Sequence, residues 1–508
     1  TPCYKFRTGS SLRCFRQMGI PLIFLILVAF LHCKSYEKSI GSRREASRCR
    51  IYPRKTMRLR KTITTIVATA ILLAGWQLFA VIANQPELIP SLPRLVRTLC
   101  EWLVSGSFYQ SVGATILRGI LGMSISFVCA IGMAGLFARF GWVYELFRPL
   151  LAIMRSIPVI SFILLALIFL NPESIPLMIA FLTMFPLLTE NLTRGILDLR
   201  PGLSIMARQF HIKHSNVLFQ IIYPQLKPFL YSGLASAAGF GWRAIIMGEV
   251  LSQCAFGIGS EMKRAQNFIS VPELLAWTIV AVFISFFFDK GISKVADITP
   301  KISFANEDQT IPTPTLSVLD TKDISYQYGI QHFSHSFQKG IIYGISAPSG
   351  KGKTTLLNLI GGILLPTEGE IHPTRHFGIA TIFQQPQLLP HLTAEENIIL
   401  PLSSFLTEEK ARRIAQKHLQ EMEMEPFGNR YPKELSYGQQ QRIAIARALA
   451  YPSPLLLMDE PFKGLDEALS HRIIERIREK QMKEERIILF TSHNPDEIRL
   501  LADEVIYL

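Results

Sequence analysis

The 508-residue chain carries a formal net charge of +14, is 49% apolar and 18% charged, and has a positive mean hydropathy. One ordinary soluble domain does not average out that way, whereas a membrane part joined to a soluble part does. The densest basic run, "RREASRCRIYPRKTMRLRK" (43–61), abuts an apolar segment, which reads as a cytoplasmic membrane flank and excludes nucleic acid as the partner of the positive charge.

Residues 1–56 differ in character from the rest of the chain. They hold a 12-residue apolar run, Ile20–Leu31. That is too short to cross about 30 Å of hydrocarbon at about 1.5 Å per residue, so it is a signal-like core or an extra anchor. Met57 opens a clean basic-then-apolar start. Residues 1–56 are therefore expected to be a disordered leader or a gene-model extension.

From Thr62 to Ala83 run 22 residues without a charge, enough to span. Gly119–Ala138 is the next such stretch. Ser156–Pro172 and Ser174–Thr189 come after it, separated only by Glu173, and read as a helical hairpin. Pro228–Trp242 continues through Arg243 to about Val250, and Leu274–Phe288 closes the series. Core helices of soluble proteins rarely exceed about 14 apolar residues, so six stretches in series exclude a soluble bundle.

Six spans put both ends on one side. With 43–61 inside, loops 139–148 (Arg139, Arg148) and 193–227 (Arg194, Arg200, Arg208, Lys213, Lys227) fall inside too, while Arg94 and Arg97 fall outside against the trend. The C-terminal part then emerges in the cytoplasm. The seven cysteines lack metal-ligand spacing and none follows Cys254, which excludes a disulfide framework or zinc site and suits a reducing compartment.

Residues 292–315, polar with three prolines, read as a linker. Beyond it, short β-rich runs alternate with helical stretches, an α/β nucleotide-binding layout. "KGIIYGIS" is strand-like, "APSGKGKT" (347–354) a loop, and "TTLLNLIGGIL" an apolar-faced helix. The loop nearly matches G-x-x-x-x-G-K-[ST], with Ala347 in place of the first glycine. Gly350 and Gly352 still let backbone N–H groups curl around phosphates at a helix start. Lys353 would reach the β/γ-phosphates, and the Thr354 hydroxyl would ligate Mg²⁺. A methyl at Ala347 is tolerable if φ stays negative. The cradle thus comprises Ala347, Pro348, Ser349, Gly350, Lys351, Gly352, Lys353, Thr354 and Thr355.

"PLLLMDEPFKGLD" (454–466) is a buried strand delivering Asp459 and Glu460 to its C-terminal edge. Asp459 can hold Mg²⁺ through water, and Glu460 can polarise the attacking water as general base. An Asp-Glu pair after a strand can also merely cap a helix. Its company here is "ELSYGQQQRIAIARALA" (434–450) before it and "ILFTSHNPDE" (488–497) after it.

In that order, the motifs of residues 316–508 resemble the ATPase subunit of an ABC transporter. Lys353 and Thr354 match the Walker A positions, Asp459 and Glu460 the Walker B pair, and "LSYGQ" (435–439) the signature LSGGQ, with Tyr437 replacing a glycine. The resemblance implies that Gln384, in "IFQQPQLLP", is the Q-loop glutamine and a further metal contact, that His493 is the switch histidine, and that Asp466 lies in the D-loop. It also implies that Tyr328 stacks on adenine, and that Ser436, Gly438 and Gln439 meet the γ-phosphate of a facing chain.

Residues 57–291 resemble the permease of bacterial ABC importers of the nitrate, sulfonate and taurine type. The carrying residues are "IPSLPRLVRTL" (89–99), "LLAIMRSIPVISF" (150–162) and "SIMARQFHIKHSNVLFQIIYPQLKP" (204–228). The last occupies the cytoplasmic coupling loop, whose pattern is E-A-A, then Gly, then a proline 13 residues on. Pro224 and Ala207 fit, while Ile205, Met206 and His211 depart. "GFGWRAIIMGEVL" (239–251) is similar to the family's fifth span through Trp242 and Glu249. Charges there are costly and often functional. A pore-facing Arg243 would suit an anionic solute; otherwise it snorkels or pairs with a neighbour.

The fold class expected is a membrane all-α permease of six transmembrane helices followed by an α/β P-loop NTPase domain of the ABC type. The implied machine is an inner-membrane homodimer of fused chains using ATP and Mg²⁺, embedded in lipid and fed by a separate extracytoplasmic solute-binding protein. Nitrate, sulfonates, taurine and a thiamine-precursor pyrimidine all fit the resemblance. An exporter would also have six spans and an ATPase, but the coupling loop with its proline argues against one. A non-transporting ATPase relaying a signal would carry a large periplasmic domain, and the outer loops are short.

Overall fold

The computed structural model describes residues 54–296, 300–309, 316–327, 329–348, 350–373 and 378–508. The expected leader lies outside them as far as residue 53, and helix α1 (Arg54–Ala83) is already formed at Arg54. The chain divides into two units, Thr1–Thr98 and Leu99–Leu508. In the first, the segment after α1 folds back on it. Trp76 Nε1 donates to the Pro90 carbonyl at 3.1 Å, and Gln77 Oε1 accepts from Leu92 N at 2.9 Å. Leu92 opens α2 (Leu92–Trp102), which crosses the unit boundary.

The second unit begins with a helical membrane part: α3 (Gly106–Arg139), α4 (Gly141–Ser156), α5 (Val159–Phe169), α6 (Ile175–Leu197), α7 (Pro201–Gln209), α8 (Tyr223–Ser252), α9 (Ile258–Asn267) and α10 (Val271–Ala296). A turn at His214–Asn216 and a π-helical turn at Val217–Ile222 lead into α8. Among the described residues, five helices are long and apolar enough to cross a membrane, and six if α4 and α5 cross as one bent pair.

The expected third span, Ser156–Pro172, holds only the 11-residue α5 and is long enough to cross only together with α4. Its residues break at Ile157–Pro158, where α4 and α5 meet at 94°. Pro158 has no N–H to donate and pushes Ile157 out of the helical region, to ψ 131°. Apolar composition alone did not register that break. Residues 139–148 are likewise mostly the start of α4 rather than a loop. The second span begins at Gly106, not Gly119, because Arg118 sits inside the helix with its charge matched by Glu173 and Glu249.

Small residues let α3, α6 and α8 approach closely around Ala130, Ala134, Ala180, Met184, Leu188 and Ala237. A Cβ on Gly122 would lie 2.6 Å from that of Ala180, so glycine is required there for close packing.

The C-terminal part contains β1 (Val318–Tyr326), β2 (Ile330–Gln338), β3 (Ile342–Ser346), α11 (Lys353–Ile360), β4 (Glu368–His372) and β5 (Ala380–Ile382). It continues with α12 (Ala394–Leu402), α13 (Glu408–Glu421), α14 (Tyr437–Ala450), β6 (Leu455–Asp459), α15 (Glu467–Glu484), β7 (Ile487–Thr491), α16 (Pro495–Leu501) and β8 (Glu504–Tyr507). An antiparallel sheet runs β2-β1-β4, and a parallel one runs β5-β6-β7-β3-β8. Strands β3, β6 and β7 are buried apolar runs, as a parallel sheet covered on both faces demands.

Within the stretch expected as a linker, residues 300–309 are bonded on both sides. Asn216 exchanges two hydrogen bonds with Ser303, at 2.7 and 2.9 Å, and Gln220 donates to the Pro300 carbonyl at 3.1 Å. On the other side, Ala305 N donates to the Ser403 carbonyl at 3.0 Å and Gln309 N to that of Phe405 at 2.8 Å. This strap joins the lead-in to α8 with the end of α12.

Candidate nucleotide site and its link to the membrane helices

The parallel sheet order puts β7 between β3 and β6, so the loop after β3 and the carboxylates after β6 open on the same edge. Gly350 and Gly352 adopt φ of +82° and +91°, where a side chain is strained, and a Cβ on Gly352 would also meet the Gly329 carbonyl oxygen at 2.6 Å. Ala347 is not among the positive-φ residues, so its methyl carries no backbone strain. Pro348, Gly350 and Lys351 are exposed at the loop tip, and Thr355 is half-buried behind it. Ser349 and Tyr328 lie outside the described residues.

Lys353 is buried, with Nζ donating to the Ala347 carbonyl at 2.8 Å and lying 3.2 Å from His493 Nδ1. The Thr354 hydroxyl donates to Asp459 at 2.9 Å. Asp459 also accepts from the Thr491 hydroxyl on β7 at 2.8 Å, and burial pushes its carboxyl up. A hydroxyl and a carboxylate sharing one point beside a buried ammonium is a donor set that fits Mg²⁺ and phosphate.

Glu460 comes next at φ +46°, an uncommon conformation for a residue with a Cβ, and its N–H is held by the Thr491 hydroxyl at 3.1 Å. Oε2 meets Lys463 Nζ at 2.8 Å, while Oε1 accepts from Gln384 Nε2 at 3.3 Å and faces His493 Nε2 at 3.2 Å. Burial alone would raise this carboxyl, but the Lys463 and Gln384 bonds outweigh it and bring it below the ordinary glutamate value.

The structure thus gathers Lys353, Thr354, Asp459, Glu460, Gln384 and His493. It does not bond Ser436, Gln439 or Asp466 to them. Ser436 and Gln439 cap the start of α14 reciprocally, and Asp466 caps α15 by accepting from Leu469 N at 2.9 Å. Gly438 packs against Gly464, whose carbonyl oxygen would lie 2.5 Å from a Cβ there.

A second constellation, within the segment expected as the coupling loop but with partners that the sequence did not name, joins this site to α7. Gln209 Nε2 donates to the Gly361 carbonyl at the end of α11, and Gln209 O accepts from Ile379 N at 2.9 Å. Phe210 is fully buried, edge-on to Tyr451 at 5.2 Å and under the Arg447 guanidinium at 5.4 Å. Arg447 is itself buried and donates to the Pro386 and Gln387 carbonyls, just beyond Gln384. His211, at the position where the coupling-loop pattern expects glycine, holds φ +46°, in the left-handed region that favours glycine.

Arg118 was the other omission, and a charge inside an apolar span was the signal for it. It donates to Glu249 at 2.8 Å, to Glu173 at 2.6 Å and to the Phe256 carbonyl at 2.7 Å. Glu249 is fully buried and also accepts from Thr115 and from Gly259 N at 2.9 Å each. Arg243, by contrast, is exposed on α8, its guanidinium carbon 6.0 Å from the Phe240 ring.

Residues 330–463 match the family described as ABC transporter, and residues 122–289 that described as binding-protein-dependent transport system inner membrane component. The uncharacterized ABC transporter ATP-binding protein MJ0796 of Methanocaldococcus jannaschii is 34% identical over 201 residues, 36% of this chain and 85% of that protein. The thiamine import ATP-binding protein ThiQ of Yersinia pseudotuberculosis is 34% identical over 205 residues, 38% of this chain and 86% of that one. The Fe(3+) ions import ATP-binding protein FbpC of Rhizobium etli is 35% identical over 189 residues, 35% of this chain. The chain spans about half of that relative's length, 54%.

Proposed function

Because the chain belongs to the ABC transporter family, with a binding-protein-dependent inner-membrane component and an ABC ATP-binding domain on one polypeptide, we propose that it hydrolyses ATP to drive import of a small solute across the bacterial inner membrane. In this reading residues 57–291 are the permease domain, 292–315 the connection and 316–508 the ATP-binding domain. The observation that carries it is the Thr354–Asp459 bond at 2.9 Å beside the buried Lys353, with Glu460 one residue further on.

The geometry around Lys353 and Glu460 supports the following roles, and Tyr328 takes its role from the sequence resemblance alone. Lys353 and the N–H groups of residues 350–355 hold the phosphates, and Tyr328 the adenine. Thr354, Asp459 and Gln384 would hold Mg²⁺, which when bound offsets charge between the β- and γ-phosphates. Glu460 accepts the proton of the attacking water. His493, 3.2 Å from both Glu460 and Lys353, links the base to the phosphate-holding lysine.

Ser436, Gly438, Gln439 and Asp466 do not bond to their own chain's phosphate loop and occur once per chain. A second copy facing the first completes two composite sites, which makes a homodimer the working unit. A separate solute-binding protein delivers the solute from outside. The exposed Arg243 shares an α8 face with Ser232 and Ser236, which favours an anionic solute of the nitrate, sulfonate or taurine type.

Mixing Ser436→Arg chains with Lys353→Ala chains tests the composite site. One site of the mixed dimer collects both lesions and the other is intact. ATPase activity that neither mutant shows alone should return on mixing, and should rise in proteoliposomes when a loaded solute-binding protein is added on the face opposite the ATPase. No regained activity would reject the dimer, and stimulation by a cytoplasmic-side solute alone would favour export.

A further inference from the structure

Tyr437 stands where the signature pattern has a glycine, and its side chain points back into its own chain. The hydroxyl donates to the backbone carbonyl of Gln384 at 2.8 Å, across 53 positions. The ring lies on Gly464, where a Cβ would come within 2.8 Å of Tyr437 Cδ1 and where φ is +80°. The ring fits because residue 464 has no side chain. The side chain of Gln384 in turn donates to Glu460 at 3.3 Å.

A continuous path therefore runs from Tyr437 through Gln384 to the base. Tyr437 sits between Ser436 and Gly438, which in the proposed dimer serve the partner's nucleotide, whereas Gln384 and Glu460 serve the chain's own. We propose that Tyr437 is a positioning residue that couples the two composite ATP sites, so that filling one site sets the Gln384–Glu460 pair of the other. The coupling rests on the composite-dimer reading above.

The hydroxyl is the element that reaches Gln384. One hydrogen bond corresponds to a coupling of about five-fold, and removing that much lowers the Hill coefficient of a two-site system by about 0.4. Tyr437→Phe keeps the ring on Gly464 and loses only this bond.

The full-length protein in proteoliposomes, assayed for ATPase rate against ATP concentration, gives the answer. Wild type should be sigmoidal, and Tyr437→Phe should have the lower Hill coefficient. Tyr437→Gly, which removes the ring as well, should lower it equally. A hyperbolic wild type, or an unchanged Hill coefficient in Tyr437→Phe, overturns the proposal. Loss of fluorescent ATP-analogue binding in Tyr437→Phe also overturns it, because a residue that links sites is not needed to fill one. The Ser436→Arg and Lys353→Ala mixture, run alongside, separates the two failures. No regained activity rejects the dimer, and regained activity with an unchanged Hill coefficient rejects only the coupling.

Discussion

The Gln209 side chain donates to the Gly361 carbonyl at 2.7 Å, joining α7 of the membrane part to the end of the helix that begins at Lys353. Both partners are away from water, so truncation leaves a carbonyl unpaired at a cost of about 1–3 kcal/mol. Gln209→Ala should retain ATP binding but lose most of the stimulation of ATPase by a loaded solute-binding protein. Full stimulation in that variant would show that the bond is not a route between the two parts.

His211 is held at φ +46°, a region that costs a residue with a Cβ about 1 kcal/mol or more. His211→Gly should raise the melting temperature of the detergent-solubilised protein by about a degree or less. A lower melting temperature would mean that contacts of the imidazole outweigh the strain.

Glu460→Gln keeps size and the Gln384 contact but cannot accept a proton. Hydrolysis should fall by about 10²–10⁴-fold, with nucleotide binding retained and dimers accumulating in ATP. Unchanged turnover would reduce Glu460 to a structural residue.

Arg118→Met leaves Glu249 buried without its counter-charge, a loss of about 3–5 kcal/mol. The double variant Arg118→Met/Glu249→Met should recover much of it in thermal unfolding. Additive losses would mean that the two residues stabilise independently.

Burial, aided by the Lys480 charge, pushes His418 down to about 4 from the usual 6.5. The folded chain therefore keeps it neutral while the unfolded chain protonates it below pH 6.5. The stability concerned is full above pH 6.5 and is lost as pH falls toward 4. Urea unfolding of His418→Gln should show a flatter decline across that window, and parallel curves would rule out His418 as the titrating group.

Order and type of motif were legible because each carries local chemistry. A glycine at positive φ, a lysine at a helix start and a carboxylate after an apolar strand need no partner to be recognised, so the Lys353, Thr354, Asp459 and Glu460 constellation could be read directly. The bend at Pro158 escaped notice because the expected span opens at Ser156, just after Arg155, which leaves the more polar helix before the bend out of it. Gln209 and Arg447 escaped because their partners are backbone carbonyls far along the chain, which leave no mark on residue type. Arg118 is readable in principle as a charge inside an apolar run, but its counter-ions Glu173 and Glu249 lie 55 and 131 residues further on, beyond any local pattern.

The strap of residues 300–309 changes what the α7 contact has to achieve. Two separate proteins must find each other from dilution and stay together by affinity alone. Here the tether makes the encounter intramolecular, with an effective concentration on the order of millimolar for a short connection. A contact of modest strength is then almost always made. That relaxes the demand on the sequence of the contact itself, which suits Ile205, Met206 and His211 standing where the resemblance expects a stricter pattern. Cutting the chain within 310–315 would convert those tolerated departures into a measurable loss of assembly at low protein concentration.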